Sequence, residues 1–292
     1  MKLLNRGRSW TLLDGSLLLL MVAVWAWMFR SPLLDIIDRA SKDEEHSHIL
    51  LVPLVIAWLV WVRRARITTL RVRPSLLGCL VVAAGCVASW WGFQNDRDIL
   101  WHGGAVLALL GMMLSVVGGT AIFRRFGPAV GAMAFLLPVP GTIRQAVAIP
   151  LQGIATTVTH NCLGIFGFES ARMGNVLLIN GQQVAVAEAC NGMRLVFALT
   201  LVIYAFLFST PLRPGTRLIL LALTPLVALI ANVIRLVPTS LMYGLFSVDA
   251  AETMHDVSGW VMLPIALGGM IGLLKLLKWM ELPIMPYRLA NP

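Results

Sequence analysis

The chain has 292 residues, of which 58% are hydrophobic and only 13% charged, and its mean hydropathy is +0.82. A soluble globular chain carries about twice that charged fraction, so the composition excludes a soluble nucleotide-binding fold, a disordered chain and a secreted disulfide scaffold, and points to a polytopic membrane protein. The net charge of +9 would suit nucleic acid only if the 23 Lys and Arg formed one face; they sit between apolar runs, so no nucleic-acid partner is expected.

In chain order, the first apolar run follows Lys2, Arg6 and Arg8 and extends from Leu12 to Phe29. It imitates a secretory signal, but Trp25, Trp27 and Arg30 stand where a small-residue cleavage site would be, so a retained span is expected. A span needs about 20 apolar residues. Eight candidates meet or approach that length, at roughly 13–29, 48–62, 75–93, 99–123, 127–138, 191–210, 216–238 and 257–274. The expected fold is therefore all-α and polytopic, with about eight transmembrane helices in a single domain without internal repeats.

Lys and Arg collect in short cytoplasmic loops. The N-terminus, the segment Arg63 to Arg73, Arg124–Arg125, Arg213 with Arg217, and the tail hold fifteen basic residues against two acidic ones, Asp14 and Glu281. The alternate loops hold eight basic and twelve acidic residues. Eight spans with both termini cytoplasmic satisfy the rule throughout. The semi-polar stretch 144–168 would invert every later loop if it crossed, so it is read as an interfacial or re-entrant helix on the outer face. Two β-prone runs then flank Asn180-Gly181, a hairpin signal that predicts a small outer-face β-hairpin over 175–187, directly before Glu188-Ala-Cys190.

Ionisable groups at or within spans are costly and point to function. The charge-derived topology puts three of them at one depth on the outer face: Cys190 opening the sixth span, Arg235 near the end of the seventh, and His255 before the eighth. A thiol, a cation and a titratable base at one level are the parts of a cysteine acyl-transfer site. The start of a helix at Asn191 and the cation of Arg194 one turn on would both favour the thiolate of Cys190. His255 can take and return a proton near neutral pH, and either Glu188 or Asp256 could orient its ring. Arg235 shares a helical face with Asn232 and can donate to a developing oxyanion, or else pair with Glu188 or Asp256.

Cys79, Cys86 and Cys162 are read as small buried hydrophobes, His102 and His160 as structural. Glu44-Glu45-His46-Ser47-His48 offers metal-ligand types, but is read as a solvated loop; no metal and no cofactor is expected. Trp58, Trp61, Trp90, Trp91, Trp101 and Trp279 fall near predicted span ends, as an interfacial belt should.

The motif Glu188-Ala-Cys190-Asn-Gly192-Met-Arg194 at the start of a span, Asn232-Val-Ile-Arg235 at the end of the next and His255 before the last resemble the exosortase/archaeosortase family. His46-Ser-His48-Ile-Leu-Leu-Val-Pro53 and Leu137-Pro138-Val-Pro140 extend the likeness over about residues 40–275. Asn191 stands where many members have Ser, and His46 and Ile49 replace the usual Tyr and Gly. The resemblance implies a multi-pass enzyme of the bacterial inner membrane, with its active site on the periplasmic face. Its partners would be membrane lipid and exported proteins whose C-terminal sorting signal joins a short motif such as Pro-Glu-Pro, a transmembrane helix and a basic cluster. It further implies Cys190 as nucleophile, His255 as general acid/base and Arg235 as transition-state stabiliser. Two other readings fit the polar residues: a transporter or export subunit, which would tolerate Cys190→Ala, and a thiol-dependent acyltransferase, which would need a lipid donor.

Overall fold

A computed structural model describes residues 11–69, 75–116, 121–179, 181–185, 192–246 and 248–280. The chain divides into two compact units, Met1–Pro140 and Gly141–Pro292.

In the first unit, α1 (Leu12–Met28) begins at a capping box. The Thr11 backbone N–H and hydroxyl both donate to Asp14 Oδ2, at 2.9 and 2.7 Å, and the Asp14 N–H donates back to Thr11 Oγ1. Asp14, the single acidic residue in the first apolar run, thereby serves to start the helix. A bend of 74° at Phe29 leads into α2 (Arg30–Lys42), a helix that no apolar run announced. A 3₁₀ turn (Glu44–Leu51) then enters α3 (Val52–Val62). His46 and His48 are buried in that turn, with His46 Nδ1 2.8 Å from Asp43 Oδ2, which corrects the expected solvated loop.

Next come α4 (Leu76–Gln94) and α5 (Asp98–Val116), joined by a turn in which Asp96 has φ +50°. Their backbones almost touch. A Cβ on Gly78, Gly85 or Gly92 of α4 would stand 2.3 to 2.6 Å from a main-chain nitrogen of α5, so only glycine permits the approach. Over the predicted fourth span, 99–123, the described helices are α5 to Val116 and, from Ala121, α6 (Ala121–Ala132), whose helical geometry breaks at Phe126 before Pro128.

Two polar links hold α1 and α2 against α5. The Trp25 indole N–H donates to the Ala105 carbonyl at 2.9 Å. Asp35 also bonds the buried His102 Nε2 at 2.8 Å and pairs with Arg39 at 2.7 Å, and Arg39 reaches Asp98 at 2.7 Å. His102→Ala is expected to lower the stability of detergent-solubilised protein by about 2 kcal/mol, from the lost buried bond and the space left behind. An unchanged thermal midpoint would refute it.

The second unit opens with α7 (Gly141–Ile165), which does not pass as a span by itself. A three-stranded antiparallel sheet follows: β1 (Ser170–Met173), β2 (Val176–Ile179) and β3 (Gln182–Ala185), in the order β1-β2-β3. The predicted hairpin is present, with Ile179 opposite Gln182 and Gly181 at φ +79°. β1 is an addition, joined through Gly174 at φ +65°. Gly174-Asn175 was a second turn signal hidden by the stronger Asn180-Gly181.

Then come α8 (Gly192–Ser209), α9 (Pro214–Leu245) and α10 (Val248–Trp279). They share one apolar core of Leu199, Ile203 and Leu207 with Leu220, Ala228 and Ala231 and with Met262, Ala266 and Met270. Leu177, Ile179 and Val184 of the sheet pack with Ala155 and Leu163 of α7 and Leu236 of α9 in a second core.

Among the described residues α4, α5, α9 and Val257–Trp279 of α10 are long and apolar enough to cross a membrane. The number rises to six if α1 with α2 and Ala121–Leu136 with α7 each count as one span; His46–Val62 and Val196–Ser209 are shorter apolar helices. The protein is thus a mostly helical, multi-pass membrane protein with four to six candidate spans where eight were predicted. Lipid replaces water as the outer medium, so apolar side chains face outward. Cys79, expected buried, is exposed for that reason, and Trp58, Trp61, Trp90 and Trp279 are also exposed.

Candidate functional site

Only four residues, 210–213, separate α8 from α9, and 246–247 separate α9 from α10, so the three helices alternate in direction. α8 is 18 residues long, about 27 Å at 1.5 Å per residue. The same length measured along α9 from Pro214 ends about one turn before Arg235. The start of α8, the Asn232–Arg235 segment and the first turns of α10 therefore come to one end of the unit.

Both long helices run past their predicted limits. Pro238 was read as closing the seventh span, yet α9 continues to Leu245. A proline inside a membrane helix is tolerated where the neighbouring structure supports the backbone it disturbs; one residue on, Thr239 Oγ1 donates to the Arg235 carbonyl at 2.8 Å. The apolar window of the last span starts at Val257, as predicted, but the helix itself begins at Val248. His255 and Asp256 are thereby helical positions, not part of a preceding loop.

Arg235 is half-buried, and its Nε donates to the buried Ser258 Oγ across the α9–α10 contact at 3.2 Å. One guanidinium nitrogen lies over Gly259, where a Cβ would be 3.9 Å away. Asn232, one turn earlier on α9, is buried. Positions 258 and 259 follow position 255 by three and four residues, the spacing that puts helical positions on one face. Of the predicted residues, Arg235 and Asn232 are brought together, with the His255 position one turn from the Arg235 contact. Glu188, Cys190 and Asn191 lie outside the described residues. Arg194 falls in the first turn of α8, and its side chain, with those of His255 and Asp256, is outside the described set.

Ser258 and Gly259 were missed by the sequence reading. Their signal was the i, i+3 and i+4 spacing from His255, which becomes legible only once the helix is extended upstream to Val248.

The family model for transmembrane exosortases matches residues 39–272. The chain belongs to the transmembrane exosortase family. No curated protein and no solved structure matches it. The family match spans the whole of α9 and all of α10 up to residue 272, so the Arg235–Ser258 contact of this exosortase lies inside the matched region.

Ser258 accepts a hydrogen bond from the guanidinium, and on the function proposed below it is a positioning residue for Arg235. Ser258→Ala is expected to lower turnover of a processed substrate about tenfold, in line with one lost charge-assisted hydrogen bond, with little change in KM, and Ser258→Thr is expected to restore it. A raised KM at unchanged turnover would assign Ser258 to binding instead.

Proposed function

We propose that this exosortase is a cysteine transpeptidase or protease acting on exported proteins with a C-terminal sorting signal. The observation that carries the reading is the contact of Arg235 with Ser258 one turn from the position of His255. It brings a cation, and the position of a titratable base, to the end of the unit where α8 begins, two residues after Cys190.

In the proposed reaction the Cys190 thiolate attacks the scissile carbonyl, and the C–O π electrons move to oxygen. Arg235 donates to that oxyanion. Collapse expels the amine, which takes a proton from His255, and leaves a Cys190 thioester. An incoming amine or water attacks the thioester, His255 takes its proton, and the Cys190 thiolate is released beside the reprotonated imidazole. Asn191 and Arg194 favour the thiolate, Glu188 or Asp256 orients the imidazole, and Asn232 packs beside Arg235. Both termini face the cytoplasm and the site faces the periplasm, by the distribution of basic residues.

The test is an immunoblot of a co-expressed tagged protein with a Pro-Glu-Pro-type tail. Loss of the tail with wild type, and full-length substrate with Cys190→Ala, Arg235→Ala and His255→Ala, is the expected result. Trimming that survives Cys190→Ala sinks the mechanism.

A further inference from the structure

An open cleft of about 1000 Å³ runs beside β1, lined by His160, Asn161 and Gly164 of α7 and by Glu169, Ser170 and Ala171. β1 stands at the end of the sheet and pairs only with β2 among the described residues. The register fixes what its other side offers. Met173 and Val176 close a two-residue turn; the pair closing such a turn exchanges hydrogen bonds, and bonding then alternates along the ladder. Met173 and Ala171 therefore turn their main-chain groups to β2, and Ser170 and Arg172 turn theirs to the open edge.

The side chains of these two residues are tied down against α7 and the turn. Ser170 Oγ is 2.7 Å from His160 Nδ1, and the Arg172 guanidinium donates to Thr157 Oγ1 and to the Gly174 carbonyl. Among the described residues the edge is thus left with unpaired main-chain donors and acceptors, which is what an extended polypeptide pairs with; Ser170 borders the cleft, which continues past Ala171 to Leu178 and Gly181, and Arg172 lies beyond it. The sheet also stands near the proposed reaction centre. Leu177 and Ile179 pack with Leu236, the neighbour of Arg235, and β3 ends five residues before Cys190.

We propose that the open edge of β1 is the docking strand for the extended segment of the protein substrate that flanks its scissile bond. The segment adds as a fourth strand by main-chain hydrogen bonds to Ser170 and Arg172, with side chains meeting His160, Asn161 and Glu169. This inference rests on the proposed function.

Two arms test it. A photo-cross-linking residue replaces Asn161 or Glu169 in the Cys190→Ala protein, which holds substrate uncut, with Leu218, 70% exposed at the start of α9, as the background position. The tagged Pro-Glu-Pro-tailed protein is expected to cross-link at 161 and 169 on the order of tenfold above the Leu218 background, the occupancy difference of one hydrogen bond's binding free energy. In the Cys190-intact enzyme, Ser170→Pro is compared with Ser170→Ala. Both lose the hydroxyl, only proline lacks the N–H, and the first residue of a strand tolerates proline. Trimming is expected to be about tenfold weaker with proline than with alanine. Equal trimming by the two variants, or cross-links that join two copies of the enzyme instead of enzyme to substrate, overturns the docking strand. Trimming by wild type without cross-links at 161 and 169 overturns the docking strand alone, whereas no trimming by wild type overturns the proposed function and the docking strand with it.

Discussion

Replacing Cys190 with alanine is expected to leave the co-expressed substrate full length, with a rate loss of roughly five to six orders of magnitude, the size seen when a covalent nucleophile is deleted. The other cysteines are Cys79 and Cys86 on α4 and Cys162 on α7. On the proposed mechanism Arg235→Ala removes a donor to the developing oxyanion and should cost about 10² to 10³. Arg235→Lys should rescue little of that, because an ammonium lacks the planar fork that can meet Ser258 and an oxyanion together. A polar transport pathway predicts the opposite ranking: Cys190→Ala harmless and Arg235→Ala lethal. The same four-lane immunoblot, with membrane levels of each variant as a loading check, separates the two.

The second large effect is on stability, at the α4–α5 contact. A Cβ on Gly104 would stand 2.3 Å from the Ser89 main-chain nitrogen and 2.5 Å from the Gly85 carbonyl oxygen. A flexible side chain could move aside at such a distance; a helix backbone cannot. Gly104→Ala is therefore expected to force the two helices apart and cost about 3 kcal/mol, the upper end of ordinary overpacking. Gly103, one residue earlier, has nothing within 4 Å of its would-be Cβ. Gly103→Ala should instead stabilise by about 1 kcal/mol, since it removes only the helix-interior penalty of glycine. Thermal unfolding in detergent gives the comparison, and equal midpoints for the two variants would mean that the close approach is absent. Gly85→Ala with Gly104→Ala should cost less than the sum of the two, because one helix separation relieves both clashes.

How much of this was legible beforehand depended on what each feature rests on. The membrane class, most span positions and the Asn180-Gly181 hairpin rest on composition, run length and local turn chemistry, and each is present in the structure in some form. Among the described residues four to six spans qualify against eight predicted, because run length does not register a bend such as the one at Phe29, and His46–Val62 and Val196–Ser209 are shorter than a full span. Helix ends were the weakest point. The seventh span is predicted to end at 238, at a proline, and the eighth to begin at 257, after an acidic stretch, and in water both proline and charge weaken a helix. In the structure α9 and α10 run on to Leu245 and back to Val248, because packing between helices outweighs both signals.

For the candidate site the division is similar. The residue types and the order Cys190, Arg235, His255 were readable from the sequence, because an ionisable group in an apolar segment needs a reason to be there. Ser258 was invisible until His255 was known to be helical, since its bond to Arg235 spans 23 residues of sequence and depends on how α9 and α10 pack. The open β1 edge was equally hidden. The sequence predicted one hairpin, and only the position of the added strand against α7 gives the sheet a free side beside a cleft. Solvent preference and local backbone chemistry act over a few residues and are written in the sequence itself. Which helices approach, how closely, and which strand is left unpaired follow from contacts between distant segments, and those only the tertiary structure decides.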